Sequence, residues 1–338
     1  GEPVVVHVVT KKGCGYRFAE EDPAKFHGIG AFDPETGKKL AKKITSYSDS
    51  FGDAVMELAQ KDDRICAITA AMPGGTGLLK FMREYPKRFF DVGIAEEHAI
   101  SMAGGLAKQG MVPVAAIYST FLQRAYDQIM QDIAMLHLHV ILAVDRAGLV
   151  GADGETHQGI FDLSYLSSIP GMTVMAPKNK WELSDMMKFA VHFDGPIAVR
   201  YPRGEAYAGL SEYRAPVVYG ESEWIYEESE VALLAVGSMV KTAEQVRDRL
   251  KAAGHACSLV NVRFVKPADE KMIRKAAAGH RLIVTMEENV ASGGYGEGDR
   301  RRGQSPPGRV WDPAGRLCGA WEYGAVEAGA FFGRGQHF

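Results

Sequence analysis

The chain has 338 residues, of which 46% are hydrophobic and 24% charged, and its formal net charge is −3. This length favours about two domains, and the composition is typical of a globular protein. The small negative charge indicates neither a nucleic-acid nor a membrane partner, and no apolar run reaches the roughly 20 residues that span a bilayer. The four cysteines have no metal-ligand spacing, which favours free thiols in a reducing cytoplasm over a disulfide framework.

The first 44 residues differ from the regular sequence that follows them. Residues 4–9 are almost continuously apolar, which predicts a strand, and no sustained period follows before residue 44. The sequence also begins without Met. We therefore expect residues 1–44 to be the last strand and exit linker of an N-terminal domain that is otherwise missing. His27 is the one side chain here with catalytic potential, although its position alone favours a solvent-exposed loop histidine.

From residue 45 the sequence alternates strands with helices, which is typical of a parallel sheet with helices on both faces. We predict such an α/β domain at residues 45–210. Its predicted strands are 65–69, 89–92, 112–117, 140–145, 172–175 and 197–201, and its predicted helices are 48–60, 78–85, 96–109, 122–136 and 181–191.

A second, smaller α/β domain is predicted at residues 230–297, after a linker at 211–229 that is interrupted by Pro and Gly. Its predicted strands are 231–236, 257–261 and 282–287, and its predicted helices are 242–253 and 270–278.

Residues 298–338 have a different composition from the rest, with nine Gly, six Arg, a single Leu and no Ile, Met or Lys. Such a stretch supplies little hydrophobic core. We expect it to be an atypical tail in which the reading frame is lost. The three arginines at 300–302 are too few to indicate a nucleic-acid site.

Polar and aromatic side chains follow several of the predicted strands, where ligands bind in open α/β sheets. These residues are Glu96, Tyr118, Phe121, Arg124, Arg146, Asp153, His157 and Arg203. An acid at position 96 either stabilises the start of its helix or exchanges a proton with a heteroaromatic ring nitrogen. Phe121 either stacks on a planar ring or packs in the core. Arginines at strand ends suit a phosphate or carboxylate, although each alone could form a surface ion pair.

A Gly-rich loop carries Asp153 and His157, and its glycines let backbone approach a ligand. His157 could shuttle protons near neutral pH or could only hydrogen-bond its neighbours. Two ligands without a third make a poor metal site, so we predict none in this chain. The sequence also lacks a Walker-type or Gly-x-Gly-x-x-Gly phosphate loop.

Several motifs together resemble the 1-deoxy-D-xylulose-5-phosphate synthase family, thiamine-diphosphate enzymes related to transketolase. In the first domain these are Asp-Val-Gly-Ile-Ala-Glu-Glu-His-Ala at 91–99, Tyr-Ser-Thr-Phe-Leu-Gln-Arg-Ala-Tyr-Asp-Gln at 118–128, the Gly-rich stretch at 145–159 and Tyr-Pro-Arg-Gly at 201–204. In the second domain they are Arg-Phe-Val-Lys-Pro at 263–267 and Glu-Glu-Asn at 287–289. The resemblance extends over about residues 1–297 and excludes the tail.

This resemblance implies a pyrimidine-binding domain at residues 45–210 and a transketolase C-terminal-like domain at 230–297. It implies that pyruvate condenses with glyceraldehyde 3-phosphate, with loss of CO2, to give 1-deoxy-D-xylulose 5-phosphate in the first step of non-mevalonate isoprenoid synthesis. The product also feeds thiamine synthesis. Thiamine diphosphate and Mg2+ are the implied cofactors, and the implied assembly is a cytoplasmic homodimer.

The resemblance also implies roles for single residues. Glu96 would pair with the ring nitrogen of the aminopyrimidine, and Phe121 would stack on that ring. Arg146 and Arg203 would hold the sugar phosphate. The other implied positions are Tyr118, Arg124 and Asp153 for substrate binding, and His27 and His157 for catalysis.

One departure from the family limits what the resemblance implies. The Gly-Asp-Gly…Asn motif that holds Mg2+ and the diphosphate has no match in this sequence, so we expect these ligands in the missing N-terminal domain. We accordingly expect no activity from this chain alone. The alternatives are a split transketolase-type subunit that works with a separate diphosphate-binding chain, and a non-catalytic fragment.

Overall fold

The computed structural model describes residues 2–40, 44–297, 309–311 and 317–318. The chain forms two compact units, Gly1–Ile44 and Thr45–Phe338. In the first unit the apolar residues 4–9 are exposed, and no strand pairing is described for them. Residues 4–9 form no strand in this structure, because a strand needs a hydrogen-bonded neighbour, and their assignment as the last strand of an N-terminal domain stays a prediction.

The first unit also contains structure where only a linker was predicted. Helix α1 is Arg17–Glu21, and strands β1 (Phe32–Asp33) and β2 (Lys38–Lys39) form a small antiparallel hairpin. Aromatic rings pack edge to face or tilted within this unit, and they belong to Tyr16, Phe18, Phe26 and Phe32. Aromatic contacts of this kind hold a short segment together without helical or strand periodicity.

The second unit alternates strands and helices along most of its length. Its strands are β3 Ile65–Thr69, β4 Phe89–Asp91, β5 Val112–Tyr118, β6 Ile141–Asp145, β7 Thr173–Met175, β8 Ile197–Arg200, β9 Glu223–Tyr226, β10 Glu230–Ala235, β11 Cys257–Asn261, β12 Phe264–Lys266, β13 His280–Met286, β14 Arg309–Trp311 and β15 Leu317–Cys318. Its α-helices are α2 Tyr47–Ala59, α3 Leu79–Glu84, α4 Glu96–Lys108, α5 Ser119–Leu122, α6 Tyr126–Gln128, α7 Asp162–Ser168, α8 Lys180–Val191, α9 Met239–Ala252 and α10 Glu270–Gly279. None of the helices in the described ranges is long and apolar enough to cross a bilayer.

A seven-stranded sheet, in the order β12-β7-β8-β6-β5-β3-β4, confirms the predicted α/β architecture. All its neighbouring strands are parallel except β12, which pairs antiparallel with β7. Helices α2 and α8 pack on one face, and α4 packs on the other. Strands β3 and β6 are buried throughout, because a parallel sheet covered on both faces has no wet side.

The second sheet has the order β15-β14-β13-β10-β11-β9, with β10, β11 and β13 parallel in its centre. Two of its features correct the sequence prediction. Residues 211–229, predicted as a linker, contain the edge strand β9. Strand β12, which belongs to the stretch after β11, completes the first sheet instead of the second. Strands of three or four residues are too short to show a period.

One hydrophobic core joins the two sheets. It includes Ile117 and Leu142 from the first sheet together with Leu234, Val260 and Ile283 from the second. Cys66 and Cys257 are buried with free thiols.

The predicted helix at 122–136 is wrong as a single α-helix. The chain passes through α5, a 3-10 turn at Gln123–Ala125, α6 and a π-helix at Ile129–Ala134. The π-helix packs on α4, where a Cβ on Gly104 would come 2.7 Å from the Asp132 carbonyl. Close tertiary packing of this kind overrides intrinsic helix preference.

Within the tail at 298–338 the structure describes the two short strands β14 and β15 at the edge of the second sheet. The rest of the predicted atypical tail lies outside the described residues, so the loss of the reading frame there stays a prediction.

Candidate active site

Four of the predicted site residues lie just after parallel strands of the first sheet. Glu96 begins α4 after β4, Phe121 lies in α5 after β5, and Arg146 and Arg203 follow β6 and β8. Since the carboxyl ends of parallel strands meet at one edge of a sheet, the fold brings these side chains to the same edge.

The Glu96 side chain is buried, with 2% of its surface exposed. Its Oε2 lies 3.2 Å from Nη1 of Arg124, whose side chain is 55% exposed. Arg124 forms its described ion pair with Glu96. Its predicted role in substrate binding stays a prediction. Burial of Glu96 supports the alternative in which this acid meets a buried ligand, because an acid that only stabilises a helix end needs no such enclosure.

Three aromatic side chains meet at α5, the helix that contains Phe121. Phe121 stacks on Tyr118 with ring centroids 5.7 Å apart and a 19° interplanar angle. His157 contacts Phe121 edge-on, at 5.3 Å between centroids. Each of the three rings is half-buried, so part of the Phe121 side chain remains exposed.

The two strand-end arginines meet at one carboxylate. Asp153 places Oδ2 3.2 Å from Nε of Arg146 and Oδ1 2.9 Å from Nε of Arg203. The Arg146 guanidinium also lies over the Tyr118 ring, 3.7 Å from its centroid, as a cation–π contact. The structure therefore gathers Tyr118, Arg146, Asp153 and Arg203 into one connected group.

Residues that were not predicted to belong to the site hold Arg146 in place. Its Nη1 donates to the Gly75 carbonyl at 2.8 Å and to Oδ1 of the buried Asp145 at 2.9 Å. Ser48 Oγ donates to the other Asp145 oxygen at 2.7 Å. A Cβ on Gly75 would lie 1.7 Å from the Tyr118 hydroxyl, so only glycine fits there. In the sequence, Asp145 is one polar residue at the end of an apolar strand, and its role depends on these distant contacts.

Burial raises the pKa of Asp145 to about 6 from its ordinary 3.8, despite the hydrogen bonds from Arg146 and Ser48. Because the folded pKa is the higher one, the protonated acid favours folding, and this contribution is lost as pH rises from about 4 to about 6. Two pKa units correspond to about 3 kcal/mol. The free energy of unfolding of the wild type should therefore fall by about 3 kcal/mol between pH 4 and 7. Asp145→Asn should abolish this fall.

Urea unfolding of the wild type and Asp145→Asn at several pH values measures this difference. Asp63→Asn is the matched control, because Asp63 is fully exposed. Parallel pH curves for wild type and Asp145→Asn would contradict the expectation.

An aminopyrimidine needs a group that exchanges a proton with its ring nitrogen and a flat apolar surface against its ring. The buried acid fits the first need, and the half-exposed ring fits the second. Glu96 and Phe121 would hold that ring. In residues 2–40 and 44–297, no group of three or more His, Cys, Asp or Glu side chains could hold a metal ion. His27 belongs to the first unit and is exposed, so its catalytic role stays a prediction.

Two family models match the chain. "Transketolase, pyrimidine binding domain" matches residues 43–208, and "Transketolase, C-terminal domain" matches residues 220–298. A 1-deoxy-D-xylulose-5-phosphate synthase of Lachnoclostridium phytofermentans is 55% identical over 295 residues, 87% of this chain and 47% of the relative. That of Natranaerobius thermophilus is 54% identical over 297 residues, with 87% and 47% covered. The chain spans about half the length of the curated relatives it matches.

Solved structures of transketolases share the fold. A structure described as "Split gene transketolase, inactive beta4 tetramer" has a TM-score of 0.69 and 28% identity, with 78% of this chain and 87% of that chain covered. The transketolase of Campylobacter jejuni has a TM-score of 0.68 at 18% identity, with 81% and 43% covered, which shows the fold alone.

The parallel sheet, the edge that carries Glu96 and the two family models define a protein of the transketolase type, a class of thiamine-diphosphate-dependent transferases. At 50–55% identity to several curated relatives, the chain belongs within that class to the 1-deoxy-D-xylulose-5-phosphate synthase family. The resemblance given by the motifs is thereby confirmed.

Proposed function

We propose that this chain supplies the pyrimidine-binding half of a site that condenses pyruvate with glyceraldehyde 3-phosphate, with loss of CO2, to 1-deoxy-D-xylulose 5-phosphate. The observation that carries the proposal is the meeting of Arg146 and Arg203 at one carboxylate beside Tyr118. Two guanidinium groups in one place suit a phosphorylated acceptor, because their planar donors match phosphate oxygens.

Thiamine diphosphate, when bound, supplies the electron sink for decarboxylation of the keto acid. Glu96 holds and moves the proton at the pyrimidine ring nitrogen, and Phe121 orients the ring by stacking. Arg146 and Arg203 bind the acceptor phosphate and so fix the aldehyde in one orientation. The ring contact of His157 with Phe121 supports this histidine as the group that would donate a proton to the carbonyl oxygen of the acceptor.

The finer points of the family assignment belong to the same proposal. Mg2+ would be held with the diphosphate by residues outside this sequence, because the Gly-Asp-Gly…Asn motif has no match here. We also propose a homodimer that acts in the cytoplasm.

We predict that the purified chain alone does not turn over pyruvate and glyceraldehyde 3-phosphate with Mg2+ and thiamine diphosphate. Turnover is expected once a diphosphate-binding half is added, for example the N-terminal half of the L. phytofermentans relative joined to this chain. The measurement is formation of 1-deoxy-D-xylulose 5-phosphate in both preparations. Turnover by the chain alone would contradict the prediction of inactivity, and none in the joined protein would contradict the proposed function.

The second candidate is a split transketolase-type subunit, favoured by the similarity to a split-gene transketolase of which this chain covers 87%. In that case a separate diphosphate-binding chain restores turnover without a covalent connection. The substrate test distinguishes the two candidates: a transketolase-type subunit uses a ketose phosphate as donor, whereas the proposed function requires pyruvate.

A further inference from the structure

The Gly-rich segment 148–160, here called the acceptor loop, carries both Asp153 and His157. Its two ends are joined to each other by backbone hydrogen bonds. Gly148 N donates to the Gly159 carbonyl at 2.6 Å, and Gly159 N donates back at 2.8 Å. The positions of Asp153 and His157 therefore depend on the contacts that hold this hydrogen-bonded pair of loop ends.

The second sheet's domain supplies those contacts from residues 287–293, here called the clasp, which follow β13. Val290 N donates to the carbonyl of Ile160, the last residue of the acceptor loop, at 2.8 Å. Asn289 Nδ2 donates to Ser164 Oγ at 2.8 Å, just beyond that end. The far end of the loop is thus fixed to the clasp by backbone and side-chain hydrogen bonds.

At the near end of the loop the contact comes from one side chain, Glu288. Ser238 Oγ donates to its Oε2 at 2.5 Å. Although burial raises the pKa of this carboxyl, the Leu149 backbone lies close enough to lower that pKa in part. Gly148 has φ +80°, and a Cβ on it would lie 2.6 Å from the same Oε2. The carboxylate and the loop backbone are therefore in direct contact, with no room for a side chain between them.

The clasp backbone is itself anchored to the first sheet. Arg200, the last residue of β8, donates from Nη2 to the Glu288 carbonyl at 3.3 Å and forms a buried ion pair with Asp162. Because the same arginine lies three residues before Arg203, the clasp is coupled to the strand end that leads into one of the proposed phosphate-binding arginines.

We propose that Glu288 is a positioning residue through which the C-terminal domain holds the acceptor loop in the geometry that places Asp153 and His157. Its effect on acceptor binding rests on the proposed function, whereas its hold on the loop stands on the contacts alone. The three heavy atoms nearest to a Cβ placed on Gly148 all belong to Glu288.

Glu288 acts through hydrogen bonds at least as much as through charge. Burial raises the pKa of this carboxyl above its ordinary value. A glutamine at this position keeps an oxygen that can accept from Ser238 and contact the loop backbone, whereas an alanine removes both contacts and leaves the Ser238 hydroxyl without this acceptor. Glu288→Gln should therefore largely preserve the loop, and Glu288→Ala should release it.

Amide hydrogen exchange on the full chain tests the hold on the loop. In Glu288→Ala we expect the amides of residues 149–160 to exchange about 10-fold faster or more, as the loss of a hydrogen bond to a buried polar group predicts. Strands β5 and β6 should keep their wild-type protection. Glu288→Gln should stay within about 3-fold of wild type. The matched control is Glu227→Ala, an exposed acid of the same domain that pairs with Lys275.

Titration with sn-glycerol 3-phosphate, an unreactive analogue of the acceptor, provides the second readout. Binding should weaken about 10-fold in Glu288→Ala and recover in Glu288→Gln. If the wild type does not bind this probe, the proposed function fails, and the exchange result still decides the role of Glu288. Wild-type exchange of the loop in a folded Glu288→Ala protein would overturn the inference.

Ser238→Ala provides an independent test if Glu288→Ala does not fold. This change removes one partner of the Glu288 carboxylate without touching the loop, and it should raise loop exchange while the strands stay protected. Unchanged loop exchange in Ser238→Ala would then count against the inference.

Discussion

Glu96→Gln is expected to lower kcat by about 10²- to 10⁴-fold in the chain joined to a diphosphate-binding half, the range lost with a general acid or base. Glutamine has nearly the shape of glutamate, and its carbonyl can still accept from Arg124, which lies 3.2 Å from the native carboxylate. What glutamine cannot do is give or take a proton at the pyrimidine nitrogen. The substitution therefore isolates proton exchange from packing.

The matched control is Glu97→Gln, which changes the neighbouring acid of the same helical turn. Glu97 is exposed, whereas Glu96 is buried, so the control alters the charge near the helix N-terminus without altering the pocket. We expect Glu97→Gln to retain kcat within about 3-fold, as for a surface first-turn acid. Equal kcat values for Glu96→Gln and wild type would remove Glu96 from the proposed proton exchange.

The sequence predicted the strand ends well because each is marked locally. An apolar run followed at once by a polar group identifies Glu96 and Arg146 without knowledge of the fold. The parallel alternation then places both at one edge of the sheet. What the sequence did not predict is that Asp153 joins Arg146 to Arg203, since a contact between distant positions leaves no local pattern.

The structural features that sequence reasoning missed are decided by tertiary contacts. Strands β9 and β12 have four and three residues and gain their hydrogen bonds from β11 and β7. The apolar residues 4–9 have a strand-like pattern and no described pairing. Asp145 belongs to the same category, because its contact with Ser48 joins residues 97 positions apart. Periodicity reports which face a residue occupies, but not which partner it meets.

Arg200→Met is expected to lower the free energy of unfolding by about 3–5 kcal/mol, the cost of leaving one member of a buried ion pair without its partner. Arg200 Nε and Nη2 lie 2.8 and 3.2 Å from the two oxygens of Asp162. The side chains are 3% and 0% exposed. Burial alone would lower the pKa of Arg200, but the Asp162 carboxylate outweighs it and raises that pKa.

The double variant Arg200→Met/Asp162→Asn separates the unpaired charge from the lost packing. With the carboxylate neutralised, much of the stability should return, because the single variant is penalised mainly for a charge buried without compensation. Urea unfolding followed by tryptophan fluorescence measures all three proteins. Lys61→Met, which breaks a surface pair with Glu57, is the control and should leave the urea midpoint unchanged.

A loss below about 1 kcal/mol in Arg200→Met would show that water or a rearranged side chain reaches Asp162, contrary to its complete burial. A loss of the expected size carries a further consequence, because the same guanidinium donates to the Glu288 carbonyl. Even where the single variant stays folded, acceptor-loop amides should then exchange faster than in wild type, since the clasp has lost its anchor on β8. The buried pair thus links the stability of the core to the geometry of the site.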